Sequence, residues 1–413
     1  MKNTRVILAL GGALGLVLSS QLAAQEPEDT VRSVIESSSG VMAARADRSV
    51  AMARAEQVRL GEYETQLDAG LARRQVRSAD DSMEWQLGVS RRFRWPAKRQ
   101  LDLDLARTES ALAQARYTLS WQGEAEAWVR LWSAWSQASA LVEVMDRRVE
   151  AARLRRDAEQ VRLQHARGRA VDVDRLDRDL ALARASLDTS RQSAELARLA
   201  LEARFPGTAE PGLAEGLDTE TCGDPDAGEA LDTAIALSPA LRVARLELDW
   251  ADLQRRRAAY DQRADPQLGV QVFQERDGAE TGLGVSVSLP ITGGLRQARL
   301  VAAEGEQTSR AARLASAEQA LRQTFLTLEA RNLRSGLRVE QAGEALSAAQ
   351  TVLDRLERGR DLEAVTVLDI LEARTALWSA REVEIAARAE QVEARLLRGI
   401  LLQCVLMPGE ANG

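Results

Sequence analysis

The sequence predicts a mainly α fold with short β-hairpins, built as two tandem copies of one unit. Three observations predict it. First, motifs recur in the same order at offsets of roughly two hundred residues, the trace a duplicated structural unit leaves. Ser238-Pro239-Ala240-Leu241-Arg242-Val243-Ala244-Arg245 echoes Ser39-Gly40-Val41-Met42-Ala43-Ala44-Arg45. Leu283-Gly284-Val285-Ser286 with Leu289-Pro290 echoes Leu87-Gly88-Val89-Ser90 with Trp95-Pro96. Arg358-Gly359-Arg360 with Leu368-Asp369 echoes Arg167-Gly168-Arg169 with Leu176-Asp177. Second, none of the nine prolines falls in 97–205 or 291–407. Proline breaks a helix, so these two tracts rich in Ala, Leu, Glu, Gln and Arg are helical. Third, two segments of period-two alternation precede each tract.

The elements follow in order. Lys2 and Arg5 precede an apolar run from Val6 to Leu18, and Ser19, Ser20, Ala23 and Ala24 supply small residues, so 1–24 reads as a cleaved signal peptide. Residues 25–205 form the first structural repeat and 231–403 the second. Between them, 206–230 is a linker marked by Gly207, Pro211, Gly212, Gly216, Gly223 and Pro225; 404–413 is a C-terminal tail.

In the first repeat Leu67, Ala69 and Leu71, then Leu87, Val89, Phe93 and Trp95, alternate with polar residues around a turn at Ser78 to Ser82. In the second, Leu268, Val270 and Val272, then Leu283, Val285, Val287 and Leu289, flank Asp277-Gly278. These are hairpin strands of about nine or ten residues, enough for a tilted membrane strand. Phe93, Trp95, Phe273 and Trp85 are placed to form an interfacial aromatic belt, while Arg91 falls on the apolar alternation.

From Pro96 to Gly168 about seventy residues make a rod of roughly 100 Å at 1.5 Å per residue. Trp121, Trp128 and Trp135 stand one heptad apart, continued by Val142 and Val149. Leu314, Leu321 and Leu328, and Val339, Leu346 and Leu353, do the same in the second copy. That spacing is a coiled-coil seam, with the tryptophans as packing. Gly168 and Gly359 mark the turn that ends each long helix.

The formal charge is -7, and -9 without Lys2 and Arg5, with both signs interspersed, which excludes nucleic acid as the expected partner. Only 4% of residues are aromatic, too few for several bulky globular cores. His165 is the only histidine, and no His/Cys/carboxylate cluster has metal-ligand spacing or surrounds a nucleophile, so neither enzyme activity nor a cofactor is expected. No segment after residue 25 is apolar enough to cross a bilayer as a helix, which leaves a soluble periplasmic protein or one entering a membrane as strands. Cys222 and Cys404 are either a disulfide or two free thiols, which look alike in sequence.

Taken together, these residues resemble the outer-membrane efflux proteins of the TolC family, over essentially the whole chain after the signal peptide. The marks are Ser238-Pro239 with Ala244-Arg245, Asp265-Pro266-Gln267-Leu268, Leu289-Pro290-Ile291 with Gly293-Gly294, and Gly359 followed by Val367-Leu368-Asp369. The resemblance implies a homotrimer whose protomers give four strands each to one twelve-stranded barrel in outer-membrane lipid. Their helices would form a periplasmic tunnel docking onto an adaptor (membrane-fusion) protein and an inner-membrane pump of the RND type. Trp95-Pro96-Ala97-Lys98-Arg99 further resembles the heavy-metal (cation) efflux branch, with Ala97 replacing its glycine.

The same resemblance implies site residues. The tunnel tip carries an acidic ring from a Val-Asp-Val-Leu-Asp segment; here Val365-Thr366-Val367-Leu368-Asp369 keeps Asp369 and has Thr366 for the first acid. Asp174 matches a position that pairs with an arginine after the second-copy glycine, for which Arg360 is the counterpart. The family places Cys222 and Cys404 together in a belt around mid-tunnel, which implies a disulfide between them. The implied function is a passive channel from periplasm to exterior. The competing class is a soluble periplasmic coiled-coil adaptor or scaffold, and an adaptor needs further β domains flanking a single helical hairpin.

Overall fold

The computed structural model describes residues 27–408 except 62, 76–80, 211–213, 215–216, 218–221, 224–225, 292 and 361–364. The signal peptide expected at 1–24 lies outside the described residues.

Helices α1 (Pro27–Glu36) and α2 (Ser39–Leu60) lead into strands β1 (Gln66–Arg74) and β2 (Ser82–Arg92). Helices α3 (Pro96–Gln164) and α4 (Ala170–Arg204) follow, then α5 (Ala227–Leu237) and α6 (Pro239–Tyr260). The second hairpin is β3 (Gln267–Glu275) and β4 (Glu280–Ser288), and α7 (Gly294–Arg360) and α8 (Val367–Leu401) complete the chain. The duplication is visible in the caps. Ser38 Oγ accepts from Val41 N at the start of α2, and Ser238 Oγ accepts from Leu241 N at the start of α6. Both helices run 22 residues. The echo that pairs Ser238 with Ser39 is therefore one residue out of phase: Ser238 corresponds to Ser38, which also aligns Ala44-Arg45 with Ala244-Arg245.

Pro96 and Pro239 both stand at the first helical turn, where no amide is needed. The long helices have 69 and 67 residues, and each packs against the helix that follows it. Gly168 is required in the first turn, because a Cβ there would meet Leu163 N at 2.8 Å.

The core sits at mid-length, where α1, α3, α4, α8, the inter-repeat segment and the C-terminal residues meet. Trp121, Trp128, Trp132 and Trp135 are buried in it with Val31, Ile35, Phe205 and Leu406. Trp121 Nε1 donates to Leu406 O at 2.6 Å and Trp132 Nε1 to Glu210 O at 3.2 Å. Cutting one such ring back to alanine costs roughly 3–5 kcal/mol. Further along α3 the buried apolar residues are Val144, Met145 and Ala151, while Val142 and Val149 are half-buried. The seam drifts off the heptad there because α3 packs α4 and α8 at once, which needs a wider stripe than one partner does.

The four strands form one antiparallel sheet in the order β1-β2-β3-β4. Two expectations change here. Strand β2 ends at Arg92, so Phe93 and Trp95 stand at the bend into α3, with Trp95 Nε1 donating to Ala264 O at 2.8 Å. Phe273 pairs with Gly282 and Gln86, on the face opposite Val272 and Leu283, so it does not join an aromatic belt with Trp85.

Candidate functional site

Three places in the fold bear on function: the sheet, the bend beneath it, and the helix turns at the other end. The strand register sorts the sheet into two unlike faces. One carries Leu67, Val89, Val270 and Val285 in one cross-strand row and Ala69, Leu87, Val272 and Leu283 in the next. Its side chains are exposed, Leu283 at 73% and Val285 at 75%. Arg91 stands on this face in its last row, beside Leu268, at the end nearest the helices. The opposite face carries Asp68, Gly88, Gln271 and Gly284, then Gly70, Gln86, Phe273 and Gly282. The outer edges of β1 and β4 have no strand partner among the described residues.

The bend between sheet and helices holds a dense ionic network that the sequence reading missed. Lys98 Nζ lies 3.0 Å from Asp265 Oδ1 and 3.1 Å from Asp261 Oδ1, and donates to Arg263 O. Arg94 pairs with Asp102 at 2.6 Å and donates to Tyr63 Oη, which in turn donates to Asp265 Oδ2. Arg257 pairs with Asp102 at 2.7 Å and also with Asp261. Burial pushes Asp261 up, but Arg257 and Lys98 outweigh it and hold the carboxyl below the usual range. Burial pulls Arg257 down, and Asp261 and Asp102 more than reverse that. Its two halves stand in marks that the sequence presents separately, Lys98-Arg99 and Asp265-Pro266, and neither alone says that they touch.

At the far end, Thr366 and Asp369 form a reciprocal cap on α8. Asp369 Oδ2 accepts from Thr366 N at 3.0 Å and from Thr366 Oγ1 at 2.6 Å, while Asp369 N donates to Thr366 Oγ1. The Thr366 hydroxyl and amide hold the Asp369 carboxyl below its usual value against a small burial effect. Asp369 remains exposed. Asp174 is also exposed, on the first turn but one of α4. The Arg360 side chain lies outside what the structure describes, so the Asp174–Arg360 pairing does too. Asp177 meets Arg156 Nε at 3.2 Å across the α3–α4 hairpin.

The structure brings Cys222 and Cys404 together in a disulfide, with Cα atoms 5.3 Å apart. It ties the inter-repeat segment to the residues after α8, beside the tryptophan core. No group of metal-ligating side chains is gathered among the described residues. No described helix is long and apolar enough to cross a membrane.

No family model and no curated protein matches the sequence. Solved structures do match the fold. The outer-membrane protein VceC of Vibrio cholerae superposes with a TM-score of 0.71 at 16% identity, covering 91% of this chain and 95% of that one. The outer-membrane channel OprN gives 0.73 at 17% identity, over 91% and 89%. The CmeC outer-membrane channel of Campylobacter jejuni gives 0.70 at 11% identity, over 94% and 87%. The chain therefore has the fold of the TolC-like outer-membrane channels, with long paired helices and a four-stranded sheet, along nearly all of its length.

Proposed function

We propose that this chain is the outer-membrane channel of a tripartite efflux system, working as a homotrimer that conducts passively from periplasm to exterior. The observation that carries this reading is the sheet. An exposed face whose central rows are wholly apolar belongs in lipid rather than in water. An open sheet edge does not survive in lipid, because its amides and carbonyls have no partners there. Both demands are met when copies join β4 of one to β1 of the next and close a barrel. The apolar rows then face hydrocarbon and the Gly, Gln and Ser rows face a water-filled lumen. Three copies, twelve strands, is the number the family resemblance implies.

In this reading the helices extend the lumen through the periplasm, and the α3–α4 and α7–α8 turns form its closed tip. Asp369 from three protomers converges there, and the Asp174–Arg360 pair clasps the turns until an adaptor protein draws them apart. An adaptor and an RND-type inner-membrane pump supply cargo and energy; the channel itself performs no chemistry. Fractionation after gentle lysis tests the reading, with recovery in the outer membrane as a crosslinkable trimer expected. Recovery in the soluble periplasmic fraction instead favours a coiled-coil scaffold and sinks the channel.

A further inference from the structure

The polar face of the sheet carries glycines in an ordered pattern. In its two central rows, Gln271 stands between Gly88 and Gly284, Gln86 stands beside Gly70, and Phe273 beside Gly282. A glycine inside a strand weakens it by roughly 0.5–1 kcal/mol, so several in register need a reason.

The side chains supply one. A Cβ added to Gly282 would fall 2.7 and 2.8 Å from Cε2 and Cε1 of Phe273, and closer still to its Cζ. A Cβ on Gly70 would fall 2.9 Å from both Cγ and Nε2 of Gln86. On Gly284 it would meet Gln271 Cγ at 3.2 Å, and on Gly88 Gln271 Cβ at 3.3 Å. Side chains in a strand ordinarily stand roughly perpendicular to the sheet. Here Phe273 and Gln86 lie across the bare backbone of the neighbouring strand, and Gln271 leans over Gly284 in the same way.

We infer that these glycines set the bore of the channel at mid-barrel, by letting the large residues of the two central rows lie flat on the wall. The inference rests on the channel reading, in which this face lines the lumen. Selection by such a pore is selection by width. The glycines are thus size-determining residues that keep the barrel open to bulky solutes. Phe273 is the most sensitive of the residues they accommodate. Adding a Cβ at Gly282 is accommodated by raising the ring, since the atoms in its way are the end of a side chain that can rotate, not backbone.

The test uses the purified full-length protein in planar bilayers, with neutral polyethylene glycols of graded size added on the barrel side. The largest polymer that enters is expected to drop by at least one size class in Gly282→Val and in Gly284→Val. Adding Phe273→Ala to Gly282→Val is expected to restore the wild-type cut-off, which a variant merely damaged in folding does not do. An unchanged cut-off in both single variants overturns the inference, and so does a lowered cut-off that Phe273→Ala leaves in place. Recovery of the wild-type protein in the soluble periplasmic fraction overturns the channel reading itself, and this inference with it.

Discussion

Lys98 Nζ lies 3.0 Å from Asp265 Oδ1, with Lys98 only 2% exposed and Asp265 at 8%. The pair joins the first turn of α3 to the residue just before the Pro266 that leads into β3, one partner from each repeat. Around it Arg94, Arg257, Asp102 and Asp261 balance three cations against three carboxylates. The bend where helices meet sheet is therefore held by charge rather than by apolar packing. Replacing one member leaves the network with a buried charge uncompensated, which is the costly way to break it.

Lys98→Met is expected to lose up to about 3 kcal/mol of stability, the low end of the cost of breaking a buried pair, because Asp265 keeps Arg94 and Tyr63 and Asp261 keeps Arg257. Lys98→Arg should lose less, and Asp265→Asn in the Met background should recover part of the loss. The acid side follows from Asp261, whose folded pKa is depressed. Its stabilisation is present above the ordinary aspartate value of 3.8 and is lost as pH falls through the lower folded value. Lys98→Met should flatten that dependence. Denaturant midpoints measured from neutral pH down past 3.8 check both statements.

The disulfide between Cys222 and Cys404 spans 182 residues and so encloses the whole second repeat. A loop that long implies an unfolded-state entropy worth about 5 kcal/mol when the crosslink is present. Changing both cysteines to serine should lower the thermal midpoint and leave the fold intact, since the tryptophan core around them persists. Native protein should show no thiol to a labelling reagent. Two reactive thiols in the native protein would show that the bond does not form.

The two faces of the sheet predict opposite responses to charge. Val285→Arg places a cation on the apolar face in mid-sheet, at a cost of about 2–4 kcal/mol if that face meets the hydrocarbon midplane. Ser286→Arg places it one residue along, on the polar face, and should insert normally. Yield of folded protein in the outer-membrane fraction separates them. Equal yields would argue that both faces meet water.

Much of this was legible in the sequence, because proline exclusion and period-two alternation report on one element at a time. The long helices, the hairpins and the apolar parity of Leu268, Val270 and Val272 are of that kind. Phe273 was misplaced against that parity: it lies one residue from Val272, and grouping aromatics by type overrode the alternation that puts it with Gln271. Phe93 and Trp95 kept the alternation past Arg92, but Pro96 with its helix turns the chain before a further strand row forms. The Lys98–Asp265 network was illegible for another reason. Its partners lie 167 residues apart, and nothing in either segment alone says that the two bends touch. At the start of α8, Thr366-x-x-Asp369 before an apolar run is the signature of a local cap, which the ring expectation for the same two residues passed over.

That cap gives the gate its sharpest test. In one protomer Thr366 draws the Asp369 carboxyl below 3.8. Three such carboxylates converging in a narrow tip would oppose this, since like charges disfavour one another's ionisation. Cation selectivity that titrates above 3.8 therefore signals convergence, and titration below it signals isolated, capped carboxylates. Asp369→Asn should weaken cation selectivity and block by multivalent cations, because it removes the charge while keeping an acceptor for Thr366 N. Thr366→Ala should loosen the start of α8 and leave selectivity in place, because it removes the hydroxyl and keeps the charge. Asp174→Asn and Arg360→Gln should each raise resting conductance without altering selectivity, as expected of a clasp that holds the turns together. Single-channel recordings under a salt gradient read all four variants. Selectivity unchanged in Asp369→Asn would remove the ring, and resting conductance unchanged in both clasp variants would remove the clasp.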